Sequence, residues 1–354
     1  MSDIAREIHE TATRLFRDLC SAETVNAAEA GVWSDALWRA VEEAGLCDVP
    51  GMGDWQDASA TLRAAGYASA PLPLADTMLA RELLAAVRIE APEGPLSFAI
   101  AEGLKATKSG DVWSLSGTVV AVPFASVTGH IVLAVPQEDA TLVVILPVDK
   151  AQLVNRQSIA GEWLDDVTFD AVDVPSSSAA VGEGALADEY RALGALTRAA
   201  LITGAAEKAL ELAIQYSTER VQFGRPISAF QAIAFMISQI TEEVAASSAM
   251  VEAAAVSGGK AQARHTMIAA AKIRTGEAAT TIARMSHQIF GAMGVTMEHT
   301  LHHSTRRLWA WREEFGGEQY WAFQLGQSMG GGIAQEGSLW RTMTALSAAG
   351  QTPE

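Results

Sequence analysis

The spacing of apolar residues changes twice along the chain, and this order limits the possible folds more than any other sequence feature. Residues 1–94 carry apolar side chains at helical spacing, as Leu37 and Val41 illustrate. Residues 95–180 contain short runs rich in β-branched residues, separated by glycine, aspartate or proline. Residues 181–354 are again helical in pattern. The chain is therefore expected to be α+β, mainly α, with a small β domain between two helical domains.

The C-terminal region predicts an antiparallel bundle of long helices. Apolar residues recur at steps of three or four from Leu201 to Tyr216, and again from Ala278 to Ile289. The latter helix is expected to end at Gly291, because glycine is favoured just past the last residue of a helix. Several long helices of this kind pack side by side in a bundle.

Shorter patterns predict a strand and two irregular segments. Asp165–Pro175 alternates, with Val167 and Phe169 on one side, as a half-buried strand does. Residues 49–55, VPGMGDW, are expected to form a loop because of their proline and glycine content. Gly330–Gly332 is expected to be a flexible break before the last helix.

The composition argues against several classes of function. A net charge of −17 argues against binding to nucleic acid, which depends on clustered lysine and arginine, and against an anionic membrane surface. No run of about 18 apolar residues predicts a membrane-spanning helix. The charged N-terminal segment lacks the apolar core of a signal peptide. A cytoplasmic protein with neither a nucleic-acid nor a membrane partner is expected.

The histidines and cysteines do not predict a metal site. His302 and His303 are adjacent, so their rings are expected to leave a helix in different directions. Cys20 and Cys47 are the two cysteines and form no C-x-x-C motif. Two free thiols are typical of a protein in a reducing compartment.

The stretch ERVQFGRPISAFQ, Glu219–Gln231, has two interpretations. Gly224–Pro226 interrupts the helix that is expected to end at Arg220, while Ser228 and Gln231 have the spacing of a capping box. On this basis alone the stretch could simply join two helices. Alternatively, Arg220 could hold an anionic group.

A second motif favours the binding interpretation. YSTERVQFGRPISAFQ, residues 216–231, is followed by SHQIFGAMGVTMEH, residues 286–299. The pair resembles the R-x-Q-F-G and Q-x-x-G motifs of the acyl-CoA dehydrogenase family. LWRAVEEAGL and VTFDAVDVP are similar to segments of that family's first and middle domains, so the resemblance covers nearly the whole chain. It implies an N-terminal helical domain, a middle β-barrel-like domain and a C-terminal four-helix bundle.

The resemblance also implies FAD as cofactor, bound between two subunits. In the family, the flavin ring lies in one subunit while the neighbour contacts the diphosphate and adenosine. A guanidinium bonds a diphosphate in a planar fork, glutamine offers a donor and an acceptor to adenine, and glycine allows close backbone approach. The residues carried over for contacts to the neighbour's FAD are Arg220, Gln222, Phe223, Gln231, Gln288 and Gly291.

The catalytic base of the family has no counterpart at its usual positions. The family's reaction removes a proton from Cα of an acyl-CoA thioester while hydride passes from Cβ to the flavin, and it needs a carboxylate base. The three positions that hold this base in different members correspond to Phe315, Gly194 and Ile202. Glu314 remains as a fallback. Because neighbouring helical residues differ by roughly 100°, Glu313 and Glu314 are expected on a solvated face.

Other departures from the family pattern concern the chain's own flavin pocket. The T-E-P-x-x-G-S-D-like loop is missing, since Leu96–Gly117 is expected to run from strand to strand. The Trp-x-Thr sequence that often backs the flavin reads Ala121–Pro123. A family arginine aligns with Ala195, and Arg198 lies one turn away. The chain retains the features that serve a neighbour's FAD and lacks several that would serve its own.

The resemblance therefore implies the non-catalytic subunit of a heteromeric α2β2 dehydrogenase of lipid metabolism, of the kind that acts in steroid side-chain degradation. Its partners would be a second subunit of the family, an acyl-CoA thioester and an electron-transfer flavoprotein. Two alternatives remain open from the sequence. One is a self-sufficient homotetrameric dehydrogenase that uses Glu314 as base. The other is a scaffold protein that has this fold and no enzymatic role.

Overall fold

The computed structural model describes residues 2–48, 55–256, 261–338 and 340–342. The helices are α1 (Asp3–Leu19), α2 (Ala22–Glu29), α3 (Asp35–Glu43), α4 (Trp55–Tyr67), α5 (Leu74–Ala86), α6 (Leu186–Glu219), α7 (Gln231–Val256), α8 (Ala261–Phe290), α9 (Leu301–Trp311) and α10 (Glu318–Glu336). The strands are β1 (Leu96–Ile100), β2 (Lys105–Ser109), β3 (Val112–Pro123), β4 (His130–Pro136), β5 (Ala140–Pro147), β6 (Gln152–Val154), β7 (Leu164–Pro175), β8 (Ala179–Glu183), β9 (Val221–Gln222) and β10 (Arg225–Pro226). The expected order of helices, strands and helices is confirmed. The loop predicted at residues 49–55 lies almost entirely outside the described residues.

The chain forms two compact units that do not follow the order of the elements. One unit contains residues up to 22, the segment 55–70 and the chain from 195 onward. It therefore combines α1 and α4 with most of α6 and with α7–α10. The other contains α3, α5, the eight strands up to β8 and the start of α6. The boundaries expected at 94 and 180 remain predictions about domains.

The strand-rich unit is built on two four-stranded sheets. Their strand orders are β1-β4-β5-β8 and β2-β3-β7-β6. β1 and β4 run parallel, and the other pairs of these sheets are antiparallel. Both sheets contribute to one apolar core, in which Val167 and Phe169 of β7 are buried as their alternation predicts. The middle β domain is confirmed.

In the helical unit, α4 and α6 cross with their backbones in contact. A Cβ atom on Gly204 would lie 1.9 Å from the carbonyl oxygen of Arg63, and one on Gly66 would lie 2.1 Å from that of Leu201. Glycine at both positions is therefore required for this close approach. The side chain of Arg63 lies across the same crossing and forms an ion pair with Glu207.

Three local predictions can be judged here. α8 ends at Phe290, so the helix end predicted at Gly291 is confirmed. Gly330–Gly332 lies inside α10, and the predicted break is wrong, because α10 packs against α8 and continues as a helix despite the weak helix preference of glycine. Ser228 lies in a 3₁₀ turn and α7 begins at Gln231, so the predicted capping box is also wrong. None of the described helices is long and apolar enough to cross a membrane.

Candidate functional site

An aromatic pair brings the two sequence motifs to one end of the helical bundle. The ring of Tyr216, in the last turn of α6, stacks on that of Phe290, the last residue of α8, with centroids 4.2 Å apart. Arg220 follows Tyr216 by about one helical turn, and Gly291 follows Phe290 directly. The segments that carry Arg220 and Gly291 therefore both start at the stacked rings of Tyr216 and Phe290.

The segment that contains Gln222 and Phe223 forms a tight hairpin, in which β9 and β10 pair antiparallel. Phe223 and Gly224 occupy its turn with positive φ angles of 53° and 80°, as a type I′ turn requires. Phe223 is 91% exposed, and its left-handed backbone is uncommon for a bulky residue. Arg225 lies over the ring of Phe230, 4.3 Å from its centroid. The hairpin therefore presents a large apolar side chain to whatever lies outside the chain.

The six predicted contact residues have the donors and the open space that an external FAD needs. All are exposed: Arg220, Gln222, Phe223, Gln231, Gln288 and Gly291. Within the described parts of the chain, the guanidinium of Arg220 has no acidic partner. Gly291 has a φ of +58°, and no atom lies within 4 Å of the point where a Cβ would be. One guanidinium, three amide side chains and an open glycine backbone fit a diphosphate and an adenine.

The three base positions hold no carboxylate in the structure either. Gly194 and Ile202 are both buried in α6. Phe315 has a left-handed φ of 54°, and its ring lies 5.0 Å from the guanidinium carbon of Arg198. Arg198, which the sequence places one turn from the family position, therefore contacts the residue at one of the three predicted base positions.

Glu314 is not on a solvated face, so that expectation is wrong. Its Oε2 accepts a hydrogen bond from Nε of Arg198 at 2.6 Å, and the two side chains are only 19% and 3% exposed. Glu313 does face solvent, with 69% of its side chain exposed. α9 ends at Trp311, so both glutamates lie in the turn that follows it. Glu314 lies on the side of this turn that faces Arg198.

Buried groups hold the turn that carries Glu314 and Phe315. Lys272 is 1% exposed, and its Nζ donates to the carbonyls of Trp311 and Arg312 at 2.8 and 2.9 Å. Nε1 of Trp321 donates to the carbonyl of Phe315 at 3.0 Å. Burial lowers the pKa of Lys272 to about 7. A lysine within the apolar run MIAAAKI was the sequence signal for this residue, and it was missed.

The free energy of unfolding of wild type is expected to rise as the pH increases above neutral, and replacing Lys272 by methionine is expected to remove this rise. The pKa of this lysine is about 7 in the folded chain against an ordinary value of 10.5, so between these values the unfolded chain binds more protons. The free energy of unfolding therefore increases with pH, by up to about 1.4 kcal/mol per pH unit. Urea denaturation of both proteins across this range measures the difference. Lys150→Met, at an exposed position, is the control, and equal slopes for wild type and Lys272→Met would contradict the assignment.

The strand-rich unit confirms that the long loop is missing. β1 ends at Ile100 and β2 begins at Lys105, so a connection of four residues joins them. Ala121, at the Trp-x-Thr position, has a left-handed φ of 57°, and its amide donates to Asp166 at 3.1 Å. This segment is organised by a neighbouring carboxylate and offers no tryptophan or threonine side chain to a flavin ring.

The two motifs and the order of the elements agree with a comparison of the chain with family models. Residues 185–320 match the model of the acyl-CoA dehydrogenase C-terminal domain, which supports the resemblance to the acyl-CoA dehydrogenase family. Proteins of this family are FAD-dependent oxidoreductases, so FAD is the cofactor to which the motifs relate.

Individual relatives agree with this assignment. Over 321 residues the chain is 29% identical to the acyl-CoA dehydrogenase IpdE2 of Mycolicibacterium smegmatis, in a match that covers 85% of this chain and 91% of that protein. The fold of this chain is similar to that of a chain in the ChsE4-ChsE5 complex of Mycobacterium tuberculosis, with a TM-score of 0.83 and 20% identity. The match covers 93% of this chain and 98% of the other. A steroid acyl-CoA dehydrogenase, Tcur3481-Tcur3483, gives a TM-score of 0.82 with 22% identity and the same coverage. The predicted fold class is confirmed.

Proposed function

We propose that this chain is the non-catalytic subunit of a heteromeric acyl-CoA dehydrogenase and that it completes the FAD site of a partner subunit of the same family. One combination of features carries the proposal. Arg220, Gln288 and Gly291 are retained and exposed, while the base positions hold Phe315 and Ile202. The partner would supply the carboxylate base and the flavin-ring pocket, and this chain would hold the diphosphate and adenosine.

The hydrogen bond between Glu314 and Arg198 argues against a homotetrameric dehydrogenase that uses Glu314 as its base. A general base needs a free oxygen within reach of the proton that it accepts. One oxygen of Glu314 already accepts a short, charge-assisted bond from the buried Arg198, and this bond would break if the carboxylate moved. This bond supports a structural role for the carboxylate in the proposal.

The substrate class that we propose is an acyl-CoA thioester with a steroid-type acyl group, and the electron acceptor is an electron-transfer flavoprotein. The names of three structural neighbours support these assignments. One is named as the steroid acyl-CoA dehydrogenase Tcur3481-Tcur3483, and another as the ChsE4-ChsE5 complex. A further neighbour, with a TM-score of 0.78, comes from a structure of an electron-transferring flavoprotein.

Glu314→Gln is expected to lower the stability of the chain, because Arg198 loses its negatively charged acceptor, but to leave turnover per folded heteromer within about twofold of wild type, because the glutamine still accepts the Arg198 bond. The same change at the partner's base should cost about 10²–10⁴-fold in rate. Steady-state turnover with an acyl-CoA substrate and a dye acceptor measures both. A large loss with Glu314→Gln, or turnover by the lone chain, would favour the homotetramer. If every co-expressed family member yields a flavin-free, inactive complex, the scaffold interpretation is correct.

A further inference from the structure

His299 lies beside the aromatic pair that joins the two predicted FAD-contact segments. Its ring makes an edge contact with Phe290 at 4.5 Å between centroids, and a more distant one with Tyr216 at 6.4 Å. These are the rings that precede Gly291 and Arg220. Tyr216, Phe290 and His299 therefore form a cluster of three rings, and the segments that carry Arg220 and Gly291 both extend from it.

His299 also caps the first turn of α9. The amide of Leu301, the first residue of that helix, donates to Nδ1 of His299 at 3.2 Å. A ring nitrogen accepts a hydrogen bond only when it carries no proton, so the hydrogen of this imidazole must be on Nε2. Thr300, the residue at the N-cap position, makes no capping bond with its side chain. The neutral ring thus satisfies an amide that would otherwise lack a partner.

The start of α9 packs directly on the end of α8, so a change in one is transmitted to the other. Leu301 is fully buried. A Cβ atom on Gly294 would lie 2.9 Å from Cβ of Phe290 and 3.3 Å from Cδ2 of Leu301. Gly294 thus lies close to both Phe290 and Leu301, with no room for even a Cβ atom. A displacement of Leu301 is therefore expected to reach Phe290, the residue before Gly291, through Gly294.

We propose that His299 is a positioning residue for the FAD contacts of Gln288 and Gly291, and that protonation of its ring weakens them. The inference rests on the proposed function, because it concerns that same FAD site. A protonated ring has no acceptor at Nδ1, and it places a positive charge at the N-terminus of α9, where the helix dipole disfavours it. Both effects release the first turn of α9 and, through Phe290, the end of α8.

The groups around His299 keep its ring neutral at ordinary pH. His287 lies on α8, His302 on α9 and Tyr216 on α6, while the acidic Glu298 precedes His299 in the chain. The ring of His302 lies 4.3 Å from that of its neighbour His303. The expectation that these two rings point in different directions is therefore wrong. The absence of a metal site stays a prediction. Burial, and then His302, lower the pKa of His299 below its ordinary 6.5. Its ring therefore takes up a proton at a lower pH than an ordinary histidine does.

Two variants separate the capping role from the titration. Asparagine accepts a hydrogen bond from the amide two residues further on, so His299→Asn keeps the cap but does not titrate in this range. His299→Ala removes both. FAD affinity of the co-expressed complex is measured by flavin fluorescence from about pH 7.5 to about pH 5.5. As the ring becomes protonated, we expect wild type to lose affinity, by about fivefold at full protonation, the size of one lost cap, while His299→Asn stays constant. The complex that carries His299→Ala should bind FAD weakly at both ends of this pH range.

The lone chain provides a second measurement that does not depend on the partner. After correction for intrinsic exchange rates, the Leu301 amide should lose protection against hydrogen exchange on acidification in wild type but not in His299→Asn. An equal pH dependence of FAD affinity in these two proteins overturns the inference while leaving the proposed function intact. Failure of every complex to bind FAD at any pH overturns the proposed function, and the inference with it.

Discussion

Replacement of Gly204 by alanine is expected to destabilise the helical unit by at least about 3 kcal/mol, or to prevent folding. The new Cβ would lie 1.9 Å from the carbonyl oxygen of Arg63 and 2.6 Å from the amide nitrogen of Tyr67. Both atoms belong to the backbone of α4, so no side-chain rotation relieves the overlap. α4 and α6 would have to separate, which would also disturb the contact at Gly66. Urea denaturation followed by circular dichroism measures the loss.

The matched control is Gly326→Ala in α10. Gly326 is an exposed helical glycine, and no atom lies within 4 Å of the point where its Cβ would be. Alanine favours helix, so this variant is expected to be unchanged or about 0.5–1 kcal/mol more stable. If Gly204→Ala were as stable as Gly326→Ala, the close crossing of α4 and α6 would be wrong.

The second large effect is expected from Arg220→Gln in the heteromer. A guanidinium that bonds a diphosphate contributes about 1.5–3 kcal/mol as a charge-assisted contact, so FAD should bind about 10- to 150-fold more weakly. The assembly should still form and the lone chain should keep its stability, because Arg220 is exposed and has no acidic partner among the described residues. Dissociation of FAD from the purified complex measures the affinity.

Arg39→Gln is the control for charge alone. Arg39 is exposed on α3, far in sequence from both motifs, and the substitution removes the same charge. It should leave FAD affinity unchanged. Equal affinities for wild type and Arg220→Gln would contradict the assignment of Arg220 to the diphosphate, whatever the role of the other contact residues.

The order of helices and strands was predictable because each depends on a local repeat. The apolar period from Ala278 to Ile289 needs no knowledge of the neighbours, and glycine at 291 marks the helix end by its own backbone preference. The alternation around Val167 and Phe169 is equally local. The resemblance to a family added what periodicity lacks, namely a prediction of which exposed side chains contact a cofactor.

The predictions that failed concern positions decided by packing. Ser228 has the spacing of a cap, but the chain makes a 3₁₀ turn there before α7 starts. Gly330–Gly332 continues a helix despite its composition. Glu314 was expected in solvent, yet Arg198, more than a hundred positions away in sequence, holds it. Such long-range contacts leave no periodic signal in the sequence, and the same applies to the burial of Lys272.

The central claim is that this chain contributes to a partner's FAD site and has no complete site of its own. The most direct test is co-expression with a second family member from the same gene cluster, followed by size-exclusion chromatography and flavin quantification. The account predicts a yellow heterotetramer with one FAD per pair of unlike chains, and a colourless lone chain. A yellow homo-oligomer of this chain alone, with one FAD per subunit, would contradict it.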